Sequence, residues 1–487
     1  MVTFLVSIAL LVVGYFTYGK FVEKVFGAKP DRVTPAYAMS DGVDYVPIGN
    51  KKNGLIQLLN IAGVGPIFGP ILGALYGPVA FLWIVLGCIF AGAVHDYLTG
   101  MISIRNRGAH LPALAGKFFG NGAKHVVNFF ALLLLVLVGT VFVTAPAQLL
   151  ADMTSGTMGL GAWIAVIFVY YLLATLLPVD KIIARFYPYF GALLLVSAVG
   201  VGAGLIVTGA PIPEVSLANM HPDAAPLFPL LFLTISCGAL SGFHATQSPI
   251  VSRTLKNEKH GRHIFYGMMI AEGVIAMIWA AAAMSLFDGR SLSELIAAAG
   301  PAGVVSEVSI AMLGAFGGTL AILGVIVLPI TSGDTAFRSA RMIVADYLGI
   351  GQKKLANRLW IAVPMFVVSV ALTQIDFNML WRYFSWANQS TAMLALWVGA
   401  MYLLLAGKNH WIASIPAAFM TYTTFAYIAN APIGFGLAMP TAHAAAAAGT
   451  ALVVAFFLHM ARKHVSADGS SWIDDDFERL SARSVGA

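Results

Sequence analysis

Several side chains in this sequence are of types that hold a proton or an ion, yet they stand in apolar surroundings. His95 and Asp96 are neighbours in GAVHDYLTGMISIRNRG. Histidine titrates near neutral pH and a carboxylate partner tunes it, so the pair suits a proton relay; the alternative is an interfacial pair neutralised by Arg105 or Arg107. Glu272 stands in MMIAEGVIAMIWAA with no charged neighbour in its own segment. A carboxylate buried alone takes up a proton readily, which suits proton coupling or a structural hydrogen bond. Thr331, Ser332, Asp334 and Thr335 in PITSGDTAFRSAR offer the oxygens that a hard cation such as sodium requires. The same Ser-Gly-Asp-Thr run equally suits the cap of a following helix, with Asp334 at its start. His244, followed by Thr246, Gln247 and Ser248 in SCGALSGFHATQSP, is placed either to receive a substrate carboxylate or to pack as a hydrogen-bonded membrane histidine.

What must position these groups is a membrane bundle. Of 487 residues, 59% are hydrophobic and 10% charged, against roughly 25% charged in soluble proteins. Thirteen apolar windows, each near the ~20 residues that span a bilayer, fall near 2–22, 55–75, 78–98, 126–150, 160–178, 187–208, 229–248, 264–286, 307–330, 359–375, 380–405, 411–430 and 440–460. The first lacks a basic leader region and a small-residue cleavage site, and is expected to be a spanning helix. Cys88 and Cys237 lie inside apolar runs, so neither a disulfide framework nor a zinc site is expected.

With the N-terminus outside and the loops alternating, 26 of the 28 Lys and Arg residues fall on the cytoplasmic side, all but Arg290 and Arg382. The positive-inside rule therefore accounts for the net charge of +6 without a nucleic-acid partner.

Two windows are interrupted. The second carries Gly63, Gly65, Pro66, Gly69 and Pro70; the seventh carries Ser236, Gly238, Ser241, Gly242, His244, Thr246 and Gln247. Proline removes a backbone hydrogen bond and glycine favours unwinding. Irregular backbone at membrane depth is tolerated where it lines a cavity or is buried in protein. Close packing of kinked helices is the other reading of such glycines. The interrupted windows lie five spans apart and cross in opposite directions, as in the LeuT-like five-plus-five inverted repeat. That predicts an all-α fold with discontinuous helices at spans two and seven. The divisions are 1–54 (first helix and cytoplasmic loop), 55–208 and 229–405 (the two repeats), 411–460 (two peripheral helices) and 461–487 (cytoplasmic tail). The substrate is expected among Gly63, Gly65, Pro66, Gly69, Ser236, Gly238, Ser241, Gly242, His244, Thr246 and Gln247. Asn388, Gln389 and Ser390 either line the cavity or join helices, and His443 is read as structural.

NIAGVGPIFGP, GAVHDYLTGMISIRNRG, SCGALSGFHATQSP and PITSGDTAFRSARMIVADYLG, in that order and spacing, resemble the carbon starvation protein family over about residues 1–430. The resemblance implies a LeuT-like inner-membrane importer of peptides or, in some members, of pyruvate with protons, linked to nutrient limitation. Two departures stand out: the chain resembles a short form that stops after a charged tail, and ATQSPIVSRTLKNE differs from the long members.

The partners expected are a small solute, a proton or sodium ion through His95, Asp96, Glu272, Thr331, Ser332, Asp334 or Thr335, and membrane lipid; no cofactor or resident metal is expected. No Walker A loop and no His-Glu-x-x-His motif occurs, which argues against an ATPase or an intramembrane metalloenzyme. A channel or nutrient sensor is the alternative. The stretch from Trp472 to Leu480 is expected as a solvated helix rather than as an amphipathic segment on the membrane surface.

Overall fold

The computed structural model describes residues 1–475 apart from 43, 177–178, 353 and 466–471, together with the backbone alone over much of 175–190. Its regular structure is helical. The helices are α1 (Val2–Phe16), α2 (Tyr18–Phe26), α3 (Pro35–Ala38), α4 (Asn50–Ile61), α5 (Gly65–Gly73), α6 (Val79–Gly87), α7 (Ala93–Arg105), α8 (Leu111–Phe119), α9 (Asn121–Met153), α10 (Leu160–Leu176), α11 (Val179–Val207), α12 (Leu227–Thr234), α13 (Gly242–Ser252), α14 (Gly267–Leu286), α15 (Gly289–Leu348), α16 (Leu355–Leu372), α17 (Phe377–Leu405), α18 (Trp411–Asn430) and α19 (Met439–Val465).

Among the described residues, eight helices are long and apolar enough to cross a bilayer, and nine if the bent pair α4–α5 is one span. The expected thirteen needs four more. Of these, α10 and α11 present short apolar stretches, Leu160–Ala174 and Gly191–Val207. The α12–α13 pair is divided into short pieces, and α17 carries WRYFSWANQST in its first half. The count of thirteen is therefore not established by length and composition.

Lipid explains which faces stay apolar and uncovered. α1 exposes Val2, Leu5, Val6, Leu10 and Val13, and α16 exposes Val363, Val367, Val368 and Val370. In contrast, 83% of the apolar window of Val79–Arg105 is buried inside the protein. The inner layer is formed by α4, α5, α6–α7, α13, α14 and α17, with α9 and α15 packed along it.

One expected boundary changes. The window 307–330 crosses a reversal at Gly314 (φ 67°), which follows another at Gly300 (φ 66°). A Cβ on Gly318 would lie 2.8 Å from Ile310 Cα, so the chain doubles back and the long helical segment starts after Gly314. In an apolar run this glycine reads as a packing residue; its left-handed backbone makes it a turn instead.

Both expected interruptions are present. α4 and α5 meet at a 49° bend, and α12 and α13 are separated by 235–241, with Gly238 at φ 89°. Neighbouring side chains satisfy the backbone groups that these breaks release, as a membrane interior demands. The Asn388 amide oxygen accepts from Phe243 N–H at 2.8 Å, Trp83 Nε1–H donates to the Ile235 carbonyl at 2.9 Å, and Gln389 Nε2–H donates to the Phe232 carbonyl at 2.9 Å. Asn388 and Gln389 therefore hold the broken helix to its neighbours. His443 bonds to Tyr422 at 2.8 Å and stacks on Phe228.

Candidate functional site

The two breaks touch. A Cβ on Gly65 would fall 2.3 Å from Cys237 Sγ, and one on Gly69 would fall 3.0 Å from the Thr234 carbonyl oxygen. One on Gly63 would strike the Phe142 ring at 2.4 Å. Pro66 occupies the first turn of α5, where its missing N–H costs nothing. Only glycine allows the two unwound segments to approach so closely.

Beside this contact lies a chain of titratable groups drawn from three helices. His244, on the first turn of α13, turns its ring between two carboxylates. Its Nδ1–H donates to Asp96 Oδ2 at 2.8 Å, and its Nε2 lies 3.3 Å from Glu272 Oε2 on α14. The other oxygen of Asp96, Oδ1, accepts from His95 Nδ1–H at 2.8 Å. All four side chains are 0% exposed. A five-residue π turn, Cys88–Gly92, precedes α7; such turns shift helical register and occur often at functional sites.

The order His95–Asp96–His244–Glu272 decides one alternative left open by the sequence. Neither arginine neutralises Asp96. Arg105 bonds to Glu258 at 2.8 and 3.0 Å, and Arg107 pairs with Asp475 at 3.2 Å. Glu272 likewise is not isolated, since its partner comes from another helix.

The remaining residues of α13 point two ways. Ser248 bonds to the His244 carbonyl at 2.9 Å and to Thr99 of α7 at 3.1 Å. Gln247 turns towards α15, where Ser339 lies 3.4 Å from its Nε2, while the Thr246 hydroxyl donates to the Phe243 carbonyl at 2.6 Å. Ser241 bonds to Asn388, while Ser236 Oγ is buried with no hydrogen-bond partner among the described residues. A Cβ on Gly242 would lie 2.2 Å from the Asn388 carbonyl oxygen, so α13 and α17 meet backbone to backbone.

Asp334 stands outside the chain. α15 continues through it to Leu348, so Asp334 does not cap a new helix, and its Oδ1 lies 3.9 Å from Arg338. The capping expectation is corrected, because the polar run is a buried stripe within the arm of α15 that runs from after Gly314 to Leu348 without a further break. Ser332 alone of this group reaches a break: its hydroxyl donates to the Leu59 carbonyl at 3.0 Å. Thr331 and Thr335 donate to their own helix.

Sequence reasoning passed over Gln57 and Cys237 as site residues. Gln57 is 0% exposed, one turn before the α4–α5 break, and among the described residues neither its amide nitrogen nor its oxygen has a hydrogen-bond partner. A glutamine alone in an apolar window was the available signal. A cleft of about 230 Å³ between α5, α9, the Gly300 turn and the start of α17 opens on Phe68, three residues beyond Gly65.

In the tail, the described residues 472–475 are packed against the protein rather than forming a solvated helix. Trp472 packs against Phe118 and His464, and Ile473 is 3% exposed. Residues 476–480 lie outside the described residues.

Known proteins can be set against this geometry. The chain is 49% identical over 351 residues to an uncharacterized membrane protein of Haemophilus influenzae, covering 61% of this chain and 95% of that one. It is 26% identical to the peptide transporter CstA of Escherichia coli, over 88% of this chain and 81% of the relative. It is 27% identical to the Escherichia coli pyruvate/proton symporter BtsT, over 58% of this chain and 49% of the relative. Among solved structures, a variant of the Eremococcus coleocola manganese transporter superposes with a TM-score of 0.58 at 12% identity, covering 88% and 99% of the two chains. MhsT in complex with L-phenylalanine gives 0.54 at 13%, covering 78% and 99%. These likenesses show the fold, that of LeuT-type transporters. A sequence model described as carbon starvation protein CstA matches residues 1–161, 157–294 and 291–427, and by that match this chain belongs to the carbon starvation protein CstA family.

Proposed function

We propose that this chain is a secondary active importer of a small organic solute, a peptide or a pyruvate-like carboxylate, driven by protons. The observation that carries the reading is the buried chain His95–Asp96–His244–Glu272 beside the contact of two broken helices. Ionisable groups at membrane depth are costly and mark ion pathways. An imidazole between two carboxylates passes a proton by accepting at one nitrogen while releasing at the other. The names of the relatives, a peptide transporter and a pyruvate/proton symporter, support the same class.

The solute lies at the breaks, against Gly63, Gly65, Pro66 and Gly69 on one side and Ser236 to Gln247 on the other. The N-termini of α5 and α13 begin there, and free N–H groups with the positive end of the helix dipole favour a carboxylate. The segments 55–208 and 229–405 act as the two repeats. The basic side of the molecule faces the cytoplasm and the N-terminus the exterior of the bacterial inner membrane, as the distribution of Lys and Arg supports. Sodium is the second reading, favoured by Ser332 Oγ on the Leu59 carbonyl at the α4 break.

Uptake of radiolabelled pyruvate and of a dipeptide into proteoliposomes, under an imposed proton or sodium gradient, tests this. Accumulation driven by a proton gradient supports the reading, and dependence on sodium alone moves the coupling to Ser332. If neither solute accumulates under any gradient, the transport assignment for these solutes fails.

A further inference from the structure

Cys237, His244 and Glu272 each bring one ligand atom to a common point, with those atoms within 4.8 Å of one another and all three residues buried. We propose that they form a binding site for one divalent transition-metal ion of the zinc class. This uses residues of the proposed proton chain, but it stands or falls by metal binding rather than by solute uptake.

The argument begins with the imidazole. His244 commits Nδ1–H to Asp96, so the neutral ring turns the lone pair of Nε2 towards the Glu272 carboxylate at 3.3 Å. Two electron pairs that close repel unless a cation stands between them. A proton is one such cation; a metal ion is the other. Among the described residues, neither His244 Nε2 nor either Glu272 oxygen has a hydrogen-bond partner. The ion pairs of Asp96 and Glu272 among the described residues are with imidazoles alone, so no lysine or arginine already balances this charge.

Geometry and donor chemistry agree. With bonds of about 2.0–2.1 Å to nitrogen and oxygen and ~2.3 Å to sulfur, tetrahedral ligand atoms stand roughly 3.3–3.6 Å apart. His244 Nε2 and Glu272 Oε2, at 3.3 Å, already meet that spacing. Cys237 Sγ lies within 4.8 Å of the other two ligand atoms, so it has at most roughly 1 Å to close; it sits in the unwound segment 235–241, where its present contacts are Ser241 Oγ at 3.3 Å and Asn388 Nδ2 at 3.8 Å. Thiol, imidazole and carboxylate together suit zinc, cobalt or nickel, while magnesium and calcium require all-oxygen shells. Asp96 supplies the second component of such sites, a carboxylate that orients the ligating histidine through its other nitrogen, and His95 steadies Asp96 in turn. Three protein ligands leave a fourth position for water or for a donor atom of the solute. Metal binding releases the protons of Cys237 and of any protonated Glu272 or Nε2, so ion and proton exclude one another here.

Cobalt(II) added to the purified full-length protein in detergent is the probe. Its thiolate charge-transfer absorption reports directly on cysteine ligation, and the chain has only two cysteines. Cys88 donates to the Met269 carbonyl at 3.3 Å and is not among the ligands. The wild type and Cys88→Ser are expected to show the band at about one cobalt per chain, with zinc displacing it. Cys237→Ser should abolish the band, and Glu272→Gln should weaken binding by about 10–100-fold; Asp96→Asn should weaken it similarly through the histidine. Monodispersity and melting temperature of each variant, measured without metal, show that folding is retained. Absence of a band in the wild type, or its persistence in Cys237→Ser, overturns the proposal. Solute uptake measured in chelator reports separately on transport, so uptake without cobalt binding removes the metal site and leaves the transporter reading intact.

Discussion

At the scale of single residues, Asp96 is the group on which the site depends most. It accepts from two imidazoles at 2.8 Å each, and a charge-assisted bond of this kind contributes about 1.5–3 kcal/mol. Asp96→Asn keeps the shape and removes the charge. Proton-driven solute accumulation in proteoliposomes is expected to fall at least tenfold, about 1.4 kcal/mol, while exchange of labelled for unlabelled solute, which needs no net proton movement, falls less. Equal loss of both would make Asp96 a structural residue. A second residue gives a pH signature outside the membrane. His110, at the start of α8, is 4% exposed, and among the described residues neither ring nitrogen has a hydrogen-bond partner. Burial, and then the nearby Arg253 guanidinium, hold its imidazole well below the ordinary 6.5. The unfolded chain thus binds the proton more readily. The contribution of neutral His110 is complete above about pH 6.5 and is lost as the pH falls below it, by ~1.4 kcal/mol per unit for one proton. The melting temperature of the wild type should drop on acidification below that point, and His110→Gln should flatten the drop. A slope unchanged in the variant would assign the acid sensitivity elsewhere.

At the scale of elements, the structure turns on how closely the broken helices approach their neighbours. Adding a methyl group at Gly242 places carbon 2.2 Å from the Asn388 carbonyl oxygen, a backbone atom. Gly242→Ala must therefore separate α13 from α17, and overpacking of this kind costs about 1–3 kcal/mol. Asn388→Ala should cost a similar ~1–3 kcal/mol by leaving the buried Phe243 N–H unpaired. The control is Gly122→Ala, where the new methyl group meets nothing within 4 Å and helix propensity improves. Melting curves should show two losses and no loss at Gly122; stability unchanged in Gly242→Ala would mean that the contact is slack. The breaks themselves were legible in the sequence because proline and glycine act locally. So was the polar character of α13, since hydroxyls and amides in an apolar window are conspicuous. The pairing of His244 with Asp96 and Glu272 was not, because those residues belong to three helices and no local spacing brings them together. The turn at Gly314 was missed for the opposite reason. A glycine in an apolar run carries no mark of the backbone angle it will adopt, and the two arms pack only after folding.

At the scale of the whole molecule, the transport proposed above requires the basic end to open and close, and the structure shows what fastens that end. Asp474 accepts from Arg32 Nη1 at 2.9 Å and from the Tyr402 hydroxyl at 2.9 Å. Asp475 pairs with Lys117 and Arg107 at 3.2 Å each, and its N–H donates to the Arg105 carbonyl at 2.9 Å. Asp474 and Asp475 thus join the segment after α2, the end of α7, the short helix α8 and the end of α17. Beneath them Arg105 is held by Glu258 and lies over the Phe26 ring at 4.3 Å. No local pattern in the sequence announced this, because the carboxylates and their cations are separated by hundreds of residues. The contacts divide by exposure. Arg107 and Asp475 are 44% and 33% exposed, so dissolved salt screens that pair, whereas the Arg105–Glu258 pair is shielded. Removing the fastening by Asp474→Ala with Asp475→Ala should therefore loosen one end without unfolding the bundle. Hydrogen exchange is expected to speed up in the segments around 24–34 and 105–118, to stay unchanged in α18, and to be reproduced only in part by high salt on the wild type. If exchange at the basic end is the same with and without the two carboxylates, residues 472–475 ride on a closure made by Arg105 and Glu258, and the variant to test next is Glu258→Gln.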